Sequence, residues 1–188
     1  RPFDVRWCYY SSERPLWNEP RPKFWAQCWK GNTFLMSRPG GVASPEGVPF
    51  FYTPLLGDND FLRGHAYYFP FRLRMASSSS SKDDGNGEFG SILEEAAPAS
   101  GAGGAKTTAN LSPAARAYLT KLGIKNPDAD ADTAALIWLH ALAIGYAPAY
   151  LSENADGIRQ DWPRIPLPAS KSALLASAEL GRQVAALL

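Results

Sequence analysis

The chain is poor in the residues that carry most metal and redox chemistry, with two Cys and two His in 188 residues. Cys8 and Cys28 cannot build a disulfide scaffold, and with His65 and His140 far apart they make no plausible zinc site. No apolar run approaches the roughly 18 to 20 residues of a membrane span. The charged, aromatic and Pro-rich opening is no signal peptide. Beginning at Arg1 rather than Met, it reads as the middle of a longer, cytoplasmic protein. Charge of one sign is lacking too. Nineteen Lys and Arg against 18 Asp and Glu leave +1, which excludes a histone-like basic binder but not a basic face within a neutral total.

Catalytic motifs are equally scarce. There is no Walker-type phosphate loop, no Gly-x-Gly-x-x-Gly, no Gly-x-Ser-x-Gly and no His-Glu-x-x-His. Asn126-Pro127-Asp128 lacks the second proline and the aromatic of an adenine-N6 methyltransferase motif and reads as a loop and helix start. Asp83 to Glu88 resembles only part of a calcium loop. Asp58, Asp60 and His65 permit two readings, a divalent-metal nuclease site or a polar turn whose side chains cap their own backbone. The turn is preferred, because no second acidic cluster accompanies them. His140, on the most apolar predicted helix, reads as a satisfied core histidine.

What is present is aromatic and unevenly placed. At 45% hydrophobic and 20% charged, the chain folds. Positions 1–74 hold 17 of its 23 Phe, Trp and Tyr, together with ten basic and six acidic side chains, net +4. Residues 75–109 carry net −3, and residues 110–188 balance at seven and seven. The fold class expected is α+β: an aromatic β-rich lobe (1–76), a low-complexity flexible linker (77–109) and a small helical lobe with a Pro-rich strap (110–188).

Strands are expected over Val5–Tyr10, Thr33–Ser37, Val48–Thr53 and Ala66–Leu73, with Pro70 marking an edge or bulge. Arg14–Lys23 and Leu56–Gly64 read as loops. Ser112-Pro113 opens a helix that Gly123 stops, and Asp128, Asp130 and Asp132 favour the start of an apolar helix running to Gly145. A short helix follows from Pro148 to Glu153. After Ser170, Leu174, Leu175, Ala178, Val184 and Leu188 give a last helical stripe.

Two strings draw more interest. In Arg6-Trp7-Cys8-Tyr9-Tyr10, cation and aromatics interleave as in surfaces that hold phosphates and stack on bases; equally, it reads as a half-buried strand in which Asp4 pairs with Arg6. Asn154–Pro168 reads as an extended segment between helices. It either straps Trp162 and Ile165 across the β-rich lobe or extends Arg164 to a phosphate or base edge.

Pro2-Phe3-Asp4-Val5-Arg6-Trp7 with Tyr9-Tyr10, Leu56-Gly57-Asp58-Asn59-Asp60, Tyr67-Tyr68-Phe69-Pro70 and Asp161-Trp162-Pro163-Arg164-Ile165-Pro166 together resemble the C-terminal specificity domain of Type ISP restriction-modification enzymes. The four strings occur in the family's order and cover nearly the whole chain apart from residues 77–109. The resemblance implies a non-catalytic target-recognition domain whose partners are double-stranded DNA and an adenine-N6 methyltransferase domain of the same parent chain, with no membrane. S-adenosylmethionine, ATP and Mg²⁺ would serve the parent's other domains, leaving no cofactor or metal here. Candidate DNA contacts are Arg6, Arg14, Asn18, Arg21, Lys23, Gln27, Lys30, Asn32, Arg38, Arg63 and Arg164, since Arg and Lys suit guanine and phosphate while Asn and Gln suit adenine. Asp4, Trp7, Tyr9, Tyr10, Asp161, Trp162, Pro163 and Ile165 are expected to build the domain or its interface. The alternatives are a protein-interaction brace without base readout and the small metal-dependent nuclease around Asp58, Asp60 and His65.

Overall fold

The computed structural model describes residues 5–9, 11, 21–40, 47–62, 65–74 and 106–188. Three aromatic-rich runs form an antiparallel sheet: β1 (Phe34–Ser37), β2 (Phe50–Thr53) and β3 (Tyr67–Pro70), in the order β2-β1-β3. Met36 of the central strand lies opposite Phe51 on one side and Tyr68 on the other. All four β1 residues are buried, because both faces of that strand are covered. Leu35 joins the core beneath the helices. On the opposite face, Phe34 meets Phe24 of the four-residue helix α1 (Pro22–Trp25) edge-on, with ring centroids 6.2 Å apart.

Pro70 ends β3, an edge strand, which suits a residue with no N–H to donate. The chain then changes sheets at Phe71, whose N–H donates to the Thr33 carbonyl while its own carbonyl accepts from Asn110. Beyond it, β4 (Arg72–Arg74) pairs antiparallel with β5 (Thr107–Ala109). So the last three positions of the expected linker are a strand, formed by pairing with a segment far away in sequence. The expectation for residues 77–105 lies outside the described residues.

The helices follow local chemistry. α2 (Pro113–Lys121) starts at Ser112, whose Oγ accepts the Ala115 N–H, and ends before Gly123 at φ 79°. α3 (Ala131–Gly145) is capped by Asp130, which accepts from the Thr133 N–H. α4 (Pro148–Glu153) follows the expected span. α5 (Ala155–Gln160) does not, since half of the segment read as extended is helical, anchored by buried Ile158. The extended strap therefore begins at Asp161. α6 (Lys171–Leu187) opens at Ser170 and buries Leu174, Ala178 and Gly181, but Leu175 and Leu188 of the expected stripe face solvent.

α3 is the spine. It packs along α6, touches β2, β4 and β5, and buries Leu136, Leu139 and Leu142 in one core with Leu35, Phe50 and Phe71. Two glycines permit this closeness: Gly145 lies on the Phe50 ring and Gly181 on the backbone of Leu139.

A Cβ at Gly181 would collide with the Leu139 carbonyl, which is backbone and cannot turn aside. Gly181→Ala is expected to lower unfolding free energy by about 1–3 kcal/mol. By contrast, Gly157→Ala in α5 meets nothing within 4 Å and should raise it by about 0.5–1 kcal/mol. Urea midpoints of the two variants, moving in opposite directions, check this.

Candidate nucleic-acid interface

A loop over residues 21–32 carries α1 and is held down by two buried amides. Asn32 donates from Nδ2 to the carbonyls of Gln27 (2.9 Å) and Arg72 (3.0 Å) and accepts the Arg72 N–H at Oδ1 (3.2 Å). Gln27 donates to the Lys23 carbonyl (3.0 Å) and accepts the Arg74 N–H (2.7 Å). The edge of β4 thus finds side-chain amides where a further strand would otherwise lie. Gln27 and Asn32, expected to read adenine, are 8% and 2% exposed, and both are engaged in holding backbone. Arg38, expected on phosphate, is likewise buried. Arg21, Lys23 and Lys30 on the same loop are exposed.

The loop's inner wall is aromatic and cationic. The Arg74 guanidinium lies over the Trp29 ring, 4.7 Å from its centroid. Arg72 reaches across to the Thr107 hydroxyl on β5. Beneath β5, Arg116 and Asp128 form a paired fork at 2.8 and 2.9 Å that also takes up both backbone groups of Ala109. The Arg116 guanidinium, through its hydrogen bonds, holds the Asp128 carboxyl below the usual carboxylate range. Trp29, Arg72 and Arg74 escape the sequence reading, although Arg-Leu-Arg in a strand puts both arginines on one face.

The strap from Asp161 to Ser170 crosses from α5 to α6. Trp162 packs edge-on against Tyr67 and Phe69 at 5.3 and 5.7 Å, and Ile165 lies against the core. Its prolines offer no N–H, so its carbonyls are what must be satisfied. The Tyr150 hydroxyl donates to Arg164, His140 Nε2 to Pro166 (2.8 Å) and the Tyr118 hydroxyl to Pro168 (2.7 Å). A carbonyl only accepts, so Nε2 carries the His140 proton, and in the neutral ring Nδ1 accepts from Ser177. Gly40 lies so near the start of the strap that a Cβ there would fall 2.6 Å from the Asp161 nitrogen. Pro163 is half-buried. The Arg164 side chain is 90% exposed and turned toward Asp161 at 3.4 Å, so strap packing and an outward arginine coexist.

Asp58, Asn59, Asp60 and His65 cap one another's backbone and side chains. Asp58 Oδ1 accepts the Asp60 N–H at 2.7 Å, and Asn59 and Asp60 meet His65 Nδ1 at 2.8 and 3.2 Å. His65 takes a positive φ of 74°. No group of three His, Cys, Asp or Glu among the described residues could hold a metal ion.

The expected strand Val5–Tyr10 is corrected in its described part: residues 5–9 are exposed and lie outside any sheet among the described residues. Trp7 is fully exposed and Tyr9 is 80% exposed, and Arg6 is also at the surface. Asp4, Tyr10, Arg14, Asn18 and Arg63 lie outside the described residues.

A Type ISP C-terminal specificity domain profile matches residues 1–188. The chain belongs to that family. A comparison with curated proteins finds no match. Among solved structures, the fold is similar to part of a cryo-EM structure of a DrdV–DNA complex, with TM-score 0.52 and 20% identity over 83% of this chain and 12% of that one. The specificity domain thus spans about an eighth of that protein's length. Among the described residues of this specificity domain, no helix is long and apolar enough to cross a membrane.

The Arg116–Asp128 fork gives this specificity domain an acid-side stability dependence. Since Asp128 titrates lower when folded, its contribution is complete above its unfolded pKa and is lost as pH falls below about 4 toward the folded value. Asp128→Asn should unfold at lower urea than the parent chain at pH 7, and the gap should narrow at pH 3.

Proposed function

We propose that this chain recognises a duplex DNA sequence on behalf of a restriction-modification enzyme. On this reading methylation and cleavage reside elsewhere in a larger protein containing an adenine-N6 methyltransferase domain. S-adenosylmethionine, ATP and Mg²⁺ would act in those other parts. The observation that carries the proposal is membership of the specificity-domain family over the whole chain. The DNA in the similarly folded DrdV complex agrees with it.

The geometry supports a division of labour. Arg21, Lys23 and Lys30 are exposed on a loop fixed by buried amides, the arrangement a base-reading or phosphate-contacting element needs. Arg6 and Arg164 extend the set, and Arg14, Asn18 and Arg63 remain proposed contacts. Gln27 and Asn32 are assigned instead to holding the loop, because reading a base would cost each a buried backbone partner. A second role, bracing a methyltransferase domain, is favoured at a different place: Val5, Trp7 and Tyr9, exposed together, present apolar area for a protein neighbour.

Fluorescence anisotropy of the 188-residue chain with a labelled random-sequence duplex, titrated across salt, tests the reading. About four to six phosphate contacts should give a log–log slope near −4 to −5, since each contributes roughly −0.9. Lys23→Ala should weaken binding. Binding that ignores salt would favour the brace, and absence of binding at the lowest salt would count against DNA recognition by this chain alone.

A further inference from the structure

Three segments that meet around β4 contain no acidic residue: 21–40, 65–74 and 106–127. The Trp29 ring lies against Arg74, and Thr107 lies opposite Arg74 across the β4–β5 ladder. Lys30 directly follows Trp29 and Lys106 directly precedes Thr107, so an exposed lysine adjoins in sequence each of the two residues that neighbour Arg74. Two acids among the described residues near β4 and β5 are already committed. Asp128 is held by Arg116, and Asp130 caps α3 by accepting from Thr133. Lys106 and Arg72 also contribute, as minor causes, to lowering the pKa values of those two carboxyls.

We infer that Lys30, at the end of the 21–32 loop, together with Arg74 and Lys106 forms a phosphate-binding rail for the backbone of duplex DNA. The inference rests on the DNA-recognition reading above. Reach decides for phosphate over base. Arg74 is a half-buried strand residue whose Nε is enclosed without a hydrogen-bond partner among the described residues, leaving only the outer edge of its fork for a ligand. A major groove is about 8.5 Å deep, too far for a guanidinium held flat on an indole at the protein surface. A phosphate oxygen at the surface suits that fork, which stacking on Trp29 has already oriented. Lys30 and Lys106 act beside it as point charges.

The test compares the 188-residue chain with Lys30→Gln, Lys106→Gln and Arg74→Gln on two labelled duplexes, a selected preferred sequence and a scrambled one, across salt. Each variant should reduce the steepness of the salt dependence by roughly 0.9 per lost phosphate contact and weaken both duplexes alike. The preference between duplexes should stay unchanged. Arg74→Lys should recover part of the slope but not the full affinity, because the stacked fork is lost. Thermal melts report folding. If Arg74→Gln unfolds, the two exposed lysine variants still decide, since neither side chain is part of the packed core. Unchanged slopes, or a change in sequence preference, would overturn the rail while leaving DNA recognition standing. An unaltered chain that binds neither duplex at the lowest salt would overturn the functional reading, and the rail with it.

Discussion

Trp138 of α3 lies flat between Phe69 and Phe71, with centroids 6.1 and 5.8 Å away and planes within 21° and 11° of parallel. The two phenylalanines share a face at i, i+2, yet one belongs to β3 and the other is the corner where the chain leaves for β4. One indole therefore fixes the angle between the two sheets and ties both to the helical half. Aromatic pairs of this kind contribute about 0.5–1.5 kcal/mol each beyond their area. Here the geometric consequence matters more. The position of β4 decides where Asn32 and Gln27 find their partners, and hence where the loop over residues 21–32 is presented.

A polar framework repeats the theme on the other side. The strap from Asp161 to Ser170 has no regular secondary structure, so its carbonyls depend on side-chain donors. Tyr118 from α2, His140 from α3 and Tyr150 from α4 supply them, each from a different helix. A strap bonded to three helices and resting Trp162 on β3 cannot shift without breaking several contacts. Prolines stiffen it further by fixing φ. The exposed Arg164 is consequently carried on a rigid base, with its side chain turned toward Asp161.

The legible parts were those decided locally. Ser112-Pro113, Asp130 and Gly123 mark helix ends through bonds made within a few residues, and the aromatic runs around Phe34, Phe50 and Tyr67 pair as strands. Elements that depend on distant partners were not legible. Thr107–Ala109 becomes a strand only because β4 is there to receive it. Val5–Tyr9 has strand composition yet joins no sheet among the described residues, because pairing depends on a partner far away in sequence. α5 contains Gly157 and Asp156, both poor helix formers, and is stabilised by burial of Ile158, a tertiary effect. Gln27 and Asn32 show the limit for sites: a polar residue in a loop has the same letter whether it turns toward solvent or toward the backbone. The sharing of one core by both halves, with Leu35 and Phe50 beside Leu139 and Leu142, follows equally from packing rather than local pattern.

Charge shows a related separation between total and arrangement. A chain of net +1 has little long-range field, yet attraction within a Debye length of about 8–10 Å depends on which side chains share a face. Among the described residues around β4 and β5, two acids are used structurally, Asp128 within its fork and Asp130 in its cap. The half-buried Arg116 is the main partner of Asp128, and Lys106 adds only a minor coulombic contribution to it. The same carboxylates that secure β5 and α3 thereby leave the outer cations available. Structural ion pairing and the proposed phosphate rail would therefore be two consequences of one distribution of charge.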